Sequence, residues 1–320
     1  MKTALIIGVT GQDGIHLTKL LLSKNYSIFG LTPKLSGDKF LRFTSMFPDV
    51  QIIQGSLVSP KSLLDAISNS QPNEIYNFGA ISYVQKSFDS PELVSNVNGL
   101  GPIRLLDAIR ILKAENETRF YQASTSEMFG NVITSLQNEN TEFHPRSPYG
   151  ASKVFAHTVC GLFRKNYGMH VSCGISYNHE GEYRGEEYVT RKITKSLAQI
   201  VKGEKTKFSL GSLEDRRDWG YAGDYVEAMW LMLQQDKPDD YVIATGISHS
   251  IRDFLNCALE FAGLEGEIDK YVVLDRKFTR PVELFNLVGD ASKAKNMLGW
   301  HPKLSFRALV EKMMINDLKH

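Results

Sequence analysis

The chain has 320 residues, 42% hydrophobic and 23% charged, and its 37 Lys and Arg against 36 Asp and Glu leave a formal charge of +1. This composition excludes a disordered chain and a polyanion-binding surface, so nucleic acid is not an expected partner, although a local cationic pocket for a nucleotide stays open. Cys160, Cys173 and Cys257 are an odd, widely spaced set with neither a disulfide framework nor zinc spacing, and no apolar run reaches the ~18 residues of a membrane span. With Met1-Lys2 leading straight into a strand, a cytoplasmic protein without metal or membrane contact is expected.

Strands are predicted near 3–9, 27–31, 50–54, 74–78, 119–123 and 170–177, alternating with helices near 15–24, 60–69, 101–113 and 148–166. That alternation implies a doubly wound parallel sheet. After Tyr177 the rhythm loosens into helices near 188–202, 222–235, 250–262 and 305–317 separated by short strands, which reads as a smaller mixed α/β lobe. The expected division is 1–177 for a dinucleotide-binding body carrying catalytic groups and 178–320 mainly for the substrate, with the chain recrossing between lobes. Neither an internal repeat nor a low-complexity linker is present, so the lobes should pack closely around a site between them.

The first strand runs into Gly8-Val9-Thr10-Gly11-Gln12-Asp13-Gly14. Glycines at 8, 11 and 14 permit a tight turn, close backbone approach to a pyrophosphate and close helix packing, with the amides of a helix beginning near Ile15 facing the phosphates. Alone this is an ordinary strand-to-helix turn. Further on, Pro148-Tyr149-Gly150-Ala151-Ser152-Lys153 places a phenol and an ammonium four apart, on one face of a helix. A tyrosine titrates near ~10, so work as a base near neutrality needs a shift of roughly 3 units, about 4 kcal/mol of phenolate stabilisation. Lys153 and a bound nicotinamide cation together are suited to supply it. Tyr and Lys at this spacing also occur on many solvated helices, and Thr125-Ser126-Glu127 by itself reads as a capped turn at a strand end. It is the combination, with a carboxylate that hydride transfer alone does not need, that points to a sugar oxidised, dehydrated and reduced again.

These segments resemble the extended short-chain dehydrogenase/reductases and, within them, the GDP-mannose 4,6-dehydratases. The resemblance covers nearly the whole chain. It rests on GVTGQDG at 8–14, STSEMFG at 124–130, PRSPYGASK at 145–153, NHE at 178–180, VTRK at 189–192, RDWG at 217–220, DYVEAMW at 224–230 and RPVE at 280–283. It implies a Rossmann-type sheet and a hydro-lyase acting on a GDP-sugar. Tyr149 is then the base at the C4 hydroxyl, Thr125 bonds the same oxygen, Lys153 keeps the phenol acidic and Glu127 removes the C5 proton. Ser126 takes the place where some dehydratases carry an aspartic acid, leaving Glu127 itself to protonate the departing water. Gly8, Gly11, Gln12, Asp13, Gly14, Lys34, Tyr149 and Lys153 would hold the cofactor. Asn178 and Lys192 resemble residues that contact the nucleotide sugar, and Arg217, Arg280 and Glu283 those that bind diphosphate and guanosine. An arginine fork suits a diphosphate, and a carboxylate can accept from guanine N1 and N2. His179 shows no zinc-ligand spacing, and Trp219 and Trp230 read as core. A homo-oligomer, dimer or tetramer, is implied as well.

The departures from the family pattern bear on specificity. Thr32-Pro33-Lys34 stands in a shortened loop where the family carries paired arginines for a cofactor 2′-phosphate, and no acidic residue ends the strand to mark the NAD ribose. NADP is expected, with NAD as the alternative, and Lys34, Lys39 or Arg42 as candidate partners of the phosphate. Ser56 and Ile81 replace polar or acidic family residues, and Gly181-Glu182-Tyr183 precedes Arg184 in place of a proline-containing basic sequence. The alternatives are a GDP-sugar C4 epimerase or reductase on the same scaffold, or a cofactor-binding protein without turnover.

Overall fold

The computed structural model describes residues 1–132, 136–275, 277 and 287–319. Its main sheet uses β1 (Thr3–Ile7), β2 (Ser27–Thr32), β3 (Gln51–Gln54), β4 (Glu74–Asn77), β5 (Arg119–Thr125), β6 (Val171–Ser176) and a later strand, Asp240–Ile243. The spatial order is β3-β2-β1-β4-β5-β6 and then 240–243, with every pairing parallel. The order reverses between β1 and β4, and in such sheets ligands bind outside the carboxyl ends of the strands at that crevice.

The helices connecting these strands are α1 (Gln12–Ser23), α2 (Asp38–Met46), α3 (Pro60–Ser70), α4 (Val84–Asp89), α5 (Pro91–Asn98), α6 (Leu100–Ile111) and α7 (Pro148–Tyr167). Side chains alternate across the sheet, so each strand feeds two cores. Ala4, Ile6, Ile28, Tyr76 and Tyr121 pack with α1 on one face, whereas Leu5, Ile7, Ile75, Phe120 and Val171 pack with α3 and α6 on the other. Each such aliphatic side chain, nearly fully buried, contributes on the order of 1.5–3 kcal/mol.

The second half has β7 (Asn178–Glu180), α8 (Val189–Val201), β8 (Phe208–Leu210), β9 (Arg216–Tyr221), α9 (Ala222–Gln234), β10 (Asp240–Ile243), β11 (Ser248–Ser250), α10 (Ile251–Phe261), β12 (Val272–Leu274), α11 (Ser292–Leu298) and α12 (Phe306–Lys319). β7, β9 and β11 form a small sheet of mixed direction, and β8 pairs with β12. A separate core of Ile193, Leu197, Trp219, Phe254 and Met313 joins α8, α10 and α12. By contrast, α9 and β10 belong to the main body: Tyr225, Met229, Tyr241 and Ile243 share the core of α1. No helix among the described residues is long and apolar enough to cross a membrane.

Candidate active site

The Gly-rich turn leaves β1 with Gly8 at φ +80°, where a Cβ would lie 3.1 Å from the Gly79 amide nitrogen. The helix starts earlier than Ile15: Gly11 is the N-cap and Gln12 the first residue of α1, because extended Gly11 lets the chain turn at once. Gly14 therefore sits in the first turn, and a Cβ there would meet the Val9 carbonyl oxygen at 2.3 Å. Only glycine allows α1 to press so closely on the chain leaving β1.

At the carboxyl end of β5, Thr125 caps a short 3₁₀ turn, Ser126–Met128, with its hydroxyl accepting from the Glu127 amide at 3.3 Å. Opposite it, Ser147 caps α7 by accepting from the Gly150 amide at 3.0 Å, and Pro148 presets the first turn. These two caps fix where Glu127 and Tyr149 stand. One helical turn on, Lys153 donates to the Ala123 carbonyl at 3.0 Å, with its nitrogen 5.9 Å from the Tyr149 ring centroid.

Thr125, Glu127, Tyr149 and Lys153 line one cavity of about 760 Å³, together with Gly8, Gly11 to Gly14, Lys34, Ser126, Asn178 and His179. It is the crevice expected at the switch point, and it is large enough for a dinucleotide end to reach a second ligand. Tyr149 and Lys153 are 7% and 4% exposed, which decides their electrostatics. Burial drives the Tyr149 phenol well above its usual range, with Tyr188 and Glu127 adding to the rise, while a hydrogen bond with Thr125 and the Arg184 charge oppose it. Burial also pushes the Lys153 ammonium down to about 8, against the pull of Cys160 and Asp13. In the ligand-free cavity, then, phenolate is not favoured, which leaves the second cation that the sequence reading invoked beside Lys153 as a requirement for an acidic phenol.

Not every expected residue comes to this wall. Lys192 on α8 and Arg217 in β9 are not among the lining residues. Lys192 feels Lys205 and Asp275, and Arg217 is buried with its Nη1 donating to the Arg216 carbonyl at 2.7 Å. Arg280 and Glu283 lie outside the described residues. Of the candidate phosphate partners, Lys34 and Lys39 line the cavity, whereas Arg42 turns toward the Tyr183 ring, 5.6 Å from its centroid. Asp38, also on the wall, brings in a carboxylate from the first turn of α2 rather than from the end of β2.

The structure also adds residues that the sequence reading did not place in the site. Ser82, Arg184 and Tyr188 line the cavity near Tyr149. Ser82 and Tyr188 share a hydroxyl hydrogen bond of 2.8 Å, and the Arg184 guanidinium lies 3.5 Å from the Tyr188 ring centroid. No spacing signal links Ser82 to Tyr188, because 106 residues separate them. Elsewhere His157, Cys173 and Asp240 bring ligand atoms within 4.8 Å of one another. Asp240 is already bonded to Arg164 and His157 to Ser124, so that cluster is internally compensated.

Comparison with known proteins agrees with this geometry. The family model described as GDP-mannose 4,6 dehydratase matches residues 5–313. GDP-mannose 4,6 dehydratase 1 of Arabidopsis thaliana is 45% identical over 99% of this chain and 90% of its own length. GDP-mannose 4,6 dehydratase of Homo sapiens is 42% identical over 99% of this chain and 92% of its own. Among solved structures, a UDP-glucose 4-epimerase of Thermus thermophilus superposes with a TM-score of 0.85 at 24% identity, covering 98% of both chains. A dTDP-glucose 4,6-dehydratase of Bacillus anthracis gives 0.84 at 21% identity, covering 100% of this chain and 97% of that one. These structural likenesses speak for the fold, whereas the family match and the full-length relatives carry the assignment: the chain belongs to the GDP-mannose 4,6-dehydratase family.

Proposed function

We propose that this protein converts GDP-mannose, or a closely related GDP-sugar, to the GDP-4-keto-6-deoxy sugar by a dehydration with no net redox change. The observation that carries the reading is the convergence of Thr125, Glu127, Tyr149 and Lys153 on the wall of the cavity that also holds the Gly8 to Gly14 loop. A phenol and an ammonium suffice for oxidising an alcohol, but a carboxylate next to them adds the base that elimination needs.

The residues present fit a nicotinamide dinucleotide. Gly8 and Gly14 leave no room for a side chain, the first turn of α1 opens on the cavity, and Lys153 spends one of its three ammonium donors on Ala123. When bound, that cofactor accepts hydride from sugar C4 and returns it to C6. Tyr149 takes the proton of the C4 hydroxyl while Thr125 bonds the same oxygen, and the Lys153 ammonium, with the cofactor's cationic ring, offsets the burial that opposes phenolate. Glu127 takes the C5 proton, made acidic by the adjacent carbonyl, and passes it to the C6 hydroxyl as that group leaves as water. C5 regains a proton as the hydride arrives at C6, balanced by the proton that Tyr149 took from the C4 hydroxyl, which restores both bases.

NADP is the cofactor of this proposal, on the strength of Lys34 and Lys39 at the wall. NAD is the alternative, to which Asp38 lends weight. The division into a dinucleotide body and a nucleotide-sugar lobe, a cytoplasmic location and a homo-oligomer belong to the same reading. Exposed Leu100, Phe155, Leu162 and Tyr167 on α6 and α7 support a self-association surface. The test is incubation with GDP-mannose deuterated at C4, without added reductant. Loss of one water with deuterium at C6 is expected. An unchanged mass with inverted C4 would replace the reading with epimerisation, and no reaction would reject it.

A further inference from the structure

The Asp13 and His179 side chains meet inside the cavity, 3.0 Å from Oδ2 to Nε2, across 166 residues of sequence. Asp13 belongs to the first turn of α1, within the Gly-rich segment, and His179 to β7, next to Asn178. The contact is closely framed. His179 Nδ1 lies 2.8 Å from the Tyr177 carbonyl oxygen, which can only accept, so Nδ1 carries a proton. Gln12 Nε2 donates to the His179 carbonyl at 3.0 Å and to Asp13 Oδ1 at 3.2 Å. The Tyr225 ring stacks on the imidazole at 4.9 Å between centroids. With Nδ1 protonated, Nε2 can meet Asp13 in two ways: as a donor to a carboxylate, or as an acceptor from a carboxylic acid.

The surroundings choose between them. Facing Asp13 are Gln12 as a donor, Arg184 and Lys153 as cations, the Tyr121 phenol and the buried His16 ring. Facing His179 are Asp13 and, more weakly, Arg184. Against burial, the His179 charge and hydrogen bond first, then the Gln12 donor and the Arg184 charge, hold the carboxyl ionised well below the usual range. His179 is raised correspondingly, burial being the opposing influence and Asp13 the largest favouring one. An ionised carboxylate standing without a counter-charge beside a dinucleotide would repel its phosphates.

We propose that Asp13 and His179 are positioning residues, a carboxylate and an imidazolium that form an electrically neutral latch tying the dinucleotide-binding turn to the sugar-binding strand. The latch does two things. It lets an acidic residue occupy the cavity without repelling a polyanion, and it makes ordering of either segment fix the other, so that dinucleotide and nucleotide-sugar bind cooperatively. The second part rests on the function proposed above, whereas the ionisation of the pair does not.

The test has two readouts. In ligand-free protein at pH 7, nitrogen NMR of the histidine rings should show one imidazole protonated on both nitrogens, absent from His179→Gln. NADP affinity by calorimetry and the KM for GDP-mannose should then be measured for Asp13→Asn, His179→Gln and the double variant. Each single change is expected to weaken NADP binding and raise KM by about tenfold, with a smaller fall in kcat, and the double variant to lose no more than the worse single one. A neutral His179 ring at pH 7, additive losses, or a loss confined to kcat would overturn the latch. If His179→Gln does not fold, the isosteric Asp13→Asn carries the same comparison and assigns the ring through the loss of its second proton. Wild-type protein that binds NADP but leaves GDP-mannose unchanged would remove the dehydratase reading while the ring protonation stands.

Discussion

The Glu127 amide donates to Thr125 Oγ1 at 3.3 Å, so the residue that ends β5 also caps the turn carrying the carboxylate. The same hydroxyl reaches the Tyr149 phenol. One side chain thus touches both Tyr149 and the turn of Glu127, the two bases of the proposed reaction. Thr125→Val is expected to lower kcat by roughly 10- to 100-fold, the worth of a hydrogen bond to a charged group. Thr125→Ser should recover most of it. Equal activity of the two variants would show that the hydroxyl has no such part.

The bases separate by partial reaction. Tyr149→Phe keeps the ring but removes the proton acceptor, and a loss of roughly 10²- to 10⁴-fold in C4 oxidation is expected, with nucleotide-sugar binding retained. Glu127→Gln should still reduce the bound cofactor in a single turnover, yet fail to exchange C5 with deuterated water. Solvent deuterium entering C5 at the wild-type rate in Glu127→Gln would remove Glu127 from its assigned step.

Lys153 has a cost that pH reveals. Its folded value, about 8, lies below the ordinary 10.5, so the ammonium destabilises the fold below pH 8 and that penalty fades as pH rises toward 10.5. Lys153→Met is therefore expected to be catalytically dead but more stable at pH 7, by on the order of 1–3 kcal/mol before the lost Ala123 bond is subtracted. Denaturation at pH 7 and at pH 10.5 measures it. A variant less stable at pH 7 and no different at high pH would contradict this account.

A methyl group at position 14 would have to displace backbone rather than a flexible side chain. Gly14→Ala should cost roughly 1–3 kcal/mol through forced separation of α1 from the chain after β1. Cofactor affinity should fall with it, because the first-turn amides move away together. Unfolding curves and cofactor titration of one sample test both, and a loss of stability with unchanged affinity would break the link.

Lys34 is an exposed lysine, and such a charge contributes only about 1 kcal/mol, several-fold in affinity. Lys34→Ala should erase a modest preference for NADP over NAD, and Asp38→Asn should enlarge it by removing a carboxylate from the same wall. Unchanged discrimination in both variants would mean that neither residue meets the 2′-phosphate.

The six strands of the front half were readable because each centres on a short apolar run bounded by turn residues, and all but the edge strand β3 are largely buried. β10 was not, since Tyr241-Val242-Ile243 is a brief run set between an acidic pair and a turn, with nothing local to say that it rejoins the main sheet. Helices α2, α4, α5 and α11 escaped for a related reason: each is nine residues or fewer, too short for a convincing period, and α4 and α5 are split by Ser90-Pro91. In the site, Thr125, Glu127, Tyr149 and Lys153 were legible as motifs because their spacing is local. The Asp13–His179 contact joins the first turn of α1 to β7, and the Ser82–Tyr188 contact joins the loop after β4 to the start of α8; the topology brings these segments together, and no one-dimensional spacing encodes them. The start of α1 was misplaced because a glycine N-cap carries no side-chain signal.

The return of β10 to the edge of the sheet has a consequence for how the chain is made. Until residue 243 has left the ribosome, β6 is the edge of the growing sheet, with all six of its residues destined for burial and its outer row of amides and carbonyls unpaired. Arg164, which pairs with Asp240, waits for the same strand. A nascent chain paused between residues 177 and 240 therefore carries a six-stranded sheet with one sticky edge. A fragment ending at Tyr177, though it holds the Gly-rich turn, Tyr149 and Lys153, should aggregate rather than fold, and nascent-chain protection of β6 should appear only after α9 and β10 have been synthesised.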